Sequence, residues 1–243
     1  MIDKKEKLGN LLFKYRGQIP ILFFLLSIPF LFYTKQISYQ SQNIFNFFSF
    51  IFLIFGFLIR AYTIGTTPSG TSGRNTKNQV ADELNTTGLY SILKHPLYLG
   101  NYFIWLGVVI FSYNILLVII VSILYFIYYR IIIYAEDVFL SKKYKEKYLN
   151  WSKRIGSFIP NFSCFEKSKL SFSFKSVLRR EYSGLLAAII SYNYIFVLRN
   201  YFHFEKIKVS FFLISCLIII LIISIFLKIL KTKTKILDEE GRV

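Results

Sequence analysis

The chain has 243 residues, 54% hydrophobic and 19% aromatic, with 30 Lys and Arg against 13 Asp and Glu for a formal charge of +17. So large a charge would suit nucleic acid, but most of the length is committed to apolar runs near the ~20 residues that cross a bilayer core, which argues against a nucleic-acid partner. Cys164 lies in a basic segment and Cys216 inside the last apolar run, which keeps them from pairing, and the two histidines (His95, His203) are too far apart to give metal-ligand spacing.

A basic arm (Lys4, Lys5, Lys7, Lys14, Arg16) precedes the first of six apolar runs, at about 19–33, 44–59, 97–112, 115–135, 183–198 and 209–230. No small-residue cleavage site follows Tyr33, so the first run is expected to be a retained anchor rather than a signal peptide. Residues 1–59 thus read as an arm and a transmembrane hairpin, joined by a polar loop at 34–43 that carries no mark of function.

Residues 60–166 hold the chemistry. They open with a loop dense in Gly, Ser, Thr and Asn, where Arg74, Lys77 and backbone amides are candidates to bind a phosphate. Pro96 then drives His95 out of the helical region, which sets the imidazole at the mouth of the next helix rather than inside it. Tyr90 and Tyr98 flank that ring, and Gly100 lets a backbone approach a ligand.

The short turn at Ser112-Tyr113-Asn114 forces the third and fourth runs to pack antiparallel. The fourth ends in Ala135-Glu136-Asp137, so its acidic pair returns to the membrane face of His95. An amphipathic stretch follows, ending at Pro160, in which Tyr144, Tyr148 and Trp151 read as an interfacial aromatic belt. Residues 167–243 add a second transmembrane hairpin and a basic tail. All Lys and Arg except Lys35, Arg199, Lys206 and Lys208 fall in or beside the termini and the two large loops, which puts those parts in the cytoplasm. The expected fold is an all-α integral membrane protein with about six transmembrane helices and cytoplasmic N- and C-termini.

The pattern Gly88, Tyr90, His95-Pro96, Tyr98 and Gly100, followed by Glu136-Asp137, Leu140, Tyr148 and Pro160, resembles the isoprenylcysteine carboxyl methyltransferase and phospholipid methyltransferase superfamily. The resemblance covers about residues 84–160 and implies an integral-membrane enzyme that uses S-adenosylmethionine. Position by position it implies Leu84, Tyr90, His95, Pro96, Leu97, Tyr98 and Glu136 as cofactor contacts; Gly100 and Asn101 join them on position alone. The resembled carboxyl methyltransferases carry an acceptor-binding arginine one turn before the glutamate, and Ile132 stands there. Arg130 is the nearest substitute, although it lies about 120° around a helix from Glu136. With Glu136 it makes the candidate catalytic pair, and with Arg74 and Lys77 the candidate acceptor-binding set. The family's Phe-Gly after the acidic pair is Tyr144-Lys145, a later tyrosine is Trp151, and an arginine near the last proline is Ser157.

S-adenosylmethionine offers a carboxylate, an ammonium and an adenine, for which His95, Glu136 and the pair Tyr90 and Tyr98 are suited in turn. The expected function is methyl transfer to the polar headgroup of a membrane lipid, best a lipid phosphate of the lipid A type. A prenylcysteine carboxylate and a phospholipid amine are the alternative acceptors, and a membrane transporter or scaffold is the non-enzymatic alternative. No metal is implied. The Ile, Lys, Asn and Phe bias resembles an AT-rich bacterial genome, so the expected place is a bacterial inner membrane with the site on the cytoplasmic side.

Overall fold

The computed structural model describes residues 3–71, 79 and 81–242, apart from the side chains of 19–21. Arg74 and Lys77 lie outside the described residues. Within them the chain is helical: α1 (Lys4–Lys14), α2 (Ile19–Tyr33), α3 (Tyr39–Gly65), α4 (Pro96–Ile110), α5 (Ile115–Ser152), α6 (Phe174–Phe204) and α7 (Phe211–Lys233). Of the six apolar runs, those in α3, α5, α6 and α7 form helices long and apolar enough to cross a membrane. Helices α2 and α4 have 15 residues each, a length of about 22 Å. Bulky side chains such as Phe47, Phe50, Leu58, Ile123, Ile127 and Phe226 stay exposed, as a lipid-facing surface requires.

Helix starts follow local chemistry. Ser38, Asn114, Ser173 and Ser210 each stand just before a helix and accept a backbone N–H of its first turn. Helix α5 departs from expectation: it is two helical segments meeting at a kink at Lys145 (φ 47°, ψ −125°), so that the apolar run continues into the amphipathic stretch, and it ends at Ser152 rather than reaching Pro160.

One end of the bundle is stapled by polar contacts. Asn114 Nδ2 donates to Thr34 Oγ1 at 2.9 Å and to Phe30 O at 3.2 Å. Arg199 Nη1 donates to Phe111 O at 2.7 Å, satisfying a carbonyl at the end of α4, while its guanidinium lies 3.7 Å over the Tyr113 ring.

In the middle, α3 and α4 meet almost backbone to backbone. A Cβ on Gly56 would lie 2.6 Å from Gly100 O, and one on Gly107 would lie 2.6 Å from Ser49 O. Ser49 Oγ donates to Gly107 O at 2.7 Å and sits 2.7 Å from Tyr192 OH, which ties α6 to the same crossing. Small residues at such a crossing are how helices approach closely where no water drives them together.

At the opposite end, α1 lies along α5. Tyr128 OH donates to Leu12 O at 2.8 Å, Lys142 Nζ to Glu6 Oε1 at 2.9 Å, and Phe13 enters the apolar cluster of Tyr98, Tyr125, Tyr129 and Ile132. The segment after α5 folds back on the His95 region: Gly88 N donates to Glu166 O, Lys94 N to Gly156 O and Asn161 N to Ile92 O, at 2.8–3.0 Å. Gly88 takes φ 63°, a conformation that costs a side-chain-bearing residue but not glycine. The C-terminal tail also returns here. Leu237 is buried, Arg242 Nη1 donates to Gly65 O at 2.6 Å, and Ser69 N donates to Gly241 O at 2.9 Å.

Candidate functional site

His95 caps the start of α4 with non-helical angles (φ −129°, ψ 63°), and Pro96 opens the helix behind it, as the proline's missing N–H and fixed φ dictate. The imidazole is wedged between the two carboxylates that end the apolar part of α5. Its Nδ1 lies 3.4 Å from Glu136 Oε2 and its Nε2 lies 3.4 Å from Asp137 Oδ1. Its ring stacks on Tyr98 with centroids 5.5 Å apart.

Each carboxylate has a further holder. Tyr98 OH donates to Glu136 Oε1 at 2.8 Å, Tyr148 OH donates to Asp137 Oδ1 at 2.5 Å, and Lys94 Nζ lies 3.8 Å from Asp137 Oδ2. Tyr98 is fixed in turn, because Tyr125 OH donates to its carbonyl at 2.7 Å. Glu136 Oε2 is left buried with no hydrogen-bond donor, its approach to His95 being too poorly directed to count as one. A buried carboxylate oxygen in that state is costly unless a cationic or donor group fills the space beside it.

Beside this cluster, at the same end of the bundle, lies a cavity of about 350 Å³ that Glu136 helps to line. Of the residues proposed from sequence, Leu84, Tyr90, His95, Leu97, Tyr98, Asn101 and Glu136 line it. Pro96 does not line it; it is fully buried behind the cavity, where it starts α4. Gly100 corrects its expected role. It faces α3 rather than a ligand, and a Cβ there would meet Arg60 Cγ at 2.6 Å. Arg130 is corrected as well: it is exposed on α5 and absent from the cavity wall, while the neighbouring Tyr129 faces inward. Helical phase is the reason, since one residue turns a side chain by about 100°. Ile132, at the position of the resembled arginine, is packed in the core.

The amphipathic stretch also behaves differently from an aromatic belt. Tyr148 and Trp151 are buried, and Trp151 Nε1 donates to Tyr90 O at 2.9 Å and walls the cavity. Tyr144 OH donates to Ala81 O at 2.6 Å, holding the loop that carries Leu84. The bend at Lys145 swings the end of α5 back over the His95 segment and makes these contacts possible.

Among the cavity residues not legible as site residues are three arginines: Arg16 after α1, Arg60 on α3 and Arg180 on α6. Arg60 Nε and Nη2 donate to the two oxygens of Glu181, each at 2.7 Å, and Nη1 donates to Asn101 Oδ1. This bidentate fork bridges α3, α4 and α6. Among the described residues no group of three or more His, Cys, Asp or Glu is placed to hold a metal ion.

Residues 44–147 match the phospholipid methyltransferase family, in agreement with the resemblance carried by the His95-Pro96 and Glu136-Asp137 motifs. An 83-residue stretch, 34% of this chain, is 34% identical to the nickel-cobalt-cadmium resistance protein NccN of Alcaligenes xylosoxydans xylosoxydans, and the match spans 38% of that relative's length. No solved structure matches the chain.

Proposed function

We propose that this chain is an integral-membrane methyltransferase that moves a methyl group from S-adenosylmethionine to the polar headgroup of a membrane lipid, with a lipid phosphate of the lipid A type as acceptor. The observation that carries the reading is the convergence of Leu84, Tyr90, His95, Leu97, Tyr98, Asn101 and Glu136 on one cavity, with a buried carboxylate oxygen that lacks a donor. The donor set fits the cofactor. The Glu136 carboxylate would hold the ammonium, and the walls made by Leu84, Tyr90 and Trp151 would hold the adenine. When bound, S-adenosylmethionine would supply an electrophilic sulfonium methyl for the acceptor oxygen, with the S–C bonding pair left on sulfur.

The protein's part is therefore to orient and to exclude water rather than to supply a nucleophile. Tyr98 and His95 fix the Glu136 carboxylate, Tyr148 and Lys94 fix Asp137, and Trp151 closes the wall beside Tyr90. Glu136 is retained as the central site residue, and Arg130 has no part in this arrangement.

In the membrane, the distribution of Lys and Arg favours both termini and this cavity on the cytoplasmic side of a bacterial inner membrane, with α2 and α4 completing six crossings. The 60–166 segment then carries the donor site between two transmembrane hairpins.

The test is cofactor binding to purified protein by calorimetry. His95→Ala and Glu136→Gln should each weaken S-adenosylmethionine binding at least tenfold while the unfolding midpoint in detergent stays within a few degrees of wild type. Undiminished affinity in both variants refutes the assignment.

A further inference from the structure

We infer that Arg60 and Arg180 form an oxyanion subsite for the acceptor, a phosphate-bearing lipid headgroup, and that Glu181 is the positioning residue that holds Arg60 for it. The inference rests on the methyltransferase reading only for what is done to the headgroup once it is bound.

The geometry is that of a built site. Both arginines line the cavity, Arg60 from α3 and Arg180 from α6, and both are largely withdrawn from solvent: Arg180 is 5% exposed and the Arg60 side chain 16%. Arg60 commits three of its N–H groups to Glu181 and Asn101, so two of its five remain to point elsewhere from a plane that can no longer rotate. Freezing that plane before the ligand arrives reduces the ordering cost of binding it.

Charge separates the possible acceptors. The donor brings a sulfonium, an ammonium and one carboxylate, so its arrival adds one positive charge to a cavity lined by four cations, Arg16, Arg60, Lys94 and Arg180, of which Arg60 and Lys94 face Glu181 and Asp137, and by two carboxylates, Glu83 and Glu136. An anionic headgroup relieves that excess, whereas an ammonium headgroup adds to it in a region where water screens little. A phosphate monoester carries about −1.5 to −2 charges near neutrality, keeps one after methylation, and matches a pair of guanidinium forks better than a carboxylate does. Position in the chain points the same way. The family match at 44–147 holds Leu84, Tyr90, His95 and Glu136 of the proposed donor set, while Arg180 and Glu181 lie outside it, on α6.

The experiment uses the full chain in phosphatidylcholine nanodiscs. Labelled S-adenosylmethionine is offered with phosphatidic acid, phosphatidylethanolamine, a farnesylated cysteine and a soluble phosphomonoester in parallel, for wild type, Arg180→Gln, Arg180→Lys, Arg60→Lys and Glu181→Gln. The expected result is label on phosphatidic acid, with KM for it raised about tenfold or more in Arg180→Gln, Arg60→Lys and Glu181→Gln. Arg180→Lys should be partly rescued because it keeps the charge but not the fork, and calorimetric affinity for the donor should stay within twofold throughout. Label on the soluble phosphomonoester with the same arginine dependence supports the subsite and moves its ligand off the lipid.

Donor affinity that falls in Arg180→Gln while acceptor KM stays put overturns the inference and gives the arginines to the cofactor carboxylate. Label only on the amine or the prenylcysteine, indifferent to Arg180, overturns it too. A wild-type protein that binds no donor sinks the methyltransferase reading instead. In that case native mass spectrometry of retained phosphatidic acid, lost in Arg180→Gln or not, still decides the subsite.

Discussion

Gly56→Ala tests the claim that the α3–α4 crossing sets the site. The added methyl would lie 2.6 Å from Gly100 O, 2.7 Å from Ile104 N and 2.7 Å from Ile104 Cγ1. Two of these are backbone atoms of α4 and cannot rotate away, so the helices must separate by about 0.7 Å to restore an ordinary C···O contact of ~3.3 Å. Gaps of that size forfeit a quarter to a half of each dispersion contact along the seam. Overpacking of this kind costs about 1–3 kcal/mol, and the better helix propensity of alanine returns about 1 kcal/mol, for a net loss of roughly 0–2 kcal/mol against wild type and about 1–3 kcal/mol against a glycine-to-alanine change that meets no clash. Arg60 lies one turn beyond Gly56 on the same face, so its bond to Asn101, the neighbour of Gly100, lengthens with the separation. The assay is equilibrium unfolding in mixed detergent micelles. Gly184→Ala serves as the control, because a methyl there meets Phe57 Cε1 only at 3.8 Å and should be neutral or slightly stabilising. Equal stability of the Gly56 and Gly184 variants refutes the reasoning.

Two further outcomes are expected. Lys145 sits at φ 47° and ψ −125° within α5, a region that costs a non-glycine residue about 1–3 kcal/mol. Lys145→Gly should therefore raise the unfolding midpoint, where a substitution in a straight helix lowers it, and a lower midpoint counts against the bend. Deleting residues 237–243 removes Leu237 from its buried seat and the bonds of Gly241 and Arg242 to Ser69 and Gly65. Amide exchange at residues 65–71 should then speed up about tenfold or more relative to the full chain, and unchanged protection refutes the role of the tail.

Much of this architecture is written in local sequence. The apolar runs mark the helices, Ser38, Asn114, Ser173 and Ser210 mark their starts, and the His95-Pro96 step marks the mouth of α4, because each signal acts over a few residues. The return of Glu136 to the depth of His95 follows from a turn of only Ser112, Tyr113 and Asn114. What sequence hides is the partner across the bundle. Arg60 and Arg180 look like the basic flanks that orient any transmembrane helix, and only folding joins residues 121 positions apart, Arg60 and Glu181, in one fork. One signal was available: Glu181 stands at the head of a long apolar helix among Arg179 and Arg180, and a carboxylate placed there needs a partner. Arg130 misled through proximity in sequence to the resembled arginine position, since helical phase outweighs nearness. Trp151 misled because helical spacing gives a face but not what covers it; the bend at Lys145 turns that face inward.

The two sides of the cavity make different demands, and the chain meets them with different materials. The charged residues proposed for the donor come from two segments, the His95-Pro96 step and the end of the apolar part of α5, locked by hydroxyl donors from Tyr98 and Tyr148. Such a set is nearly rigid, because each member is fixed by a bond to another and by the stacked rings of Tyr98, Tyr125 and Tyr129 beneath it. The arginine side is assembled from α1, α3 and α6, so its shape depends on how those helices lean on α4 and α5. Lateral entry of a lipid between helices requires that kind of compliance, whereas a soluble donor requires only an opening at the end of the bundle. The Gly56–Gly100 crossing lies between the two sides: it anchors α3, and with it Arg60, to the helix that begins at His95. A methyl added there strains both sides at once, while a change at Glu181 loosens only the arginine side. Comparing the donor affinities of Gly56→Ala and Glu181→Gln therefore measures how far the two sides of the site are mechanically one.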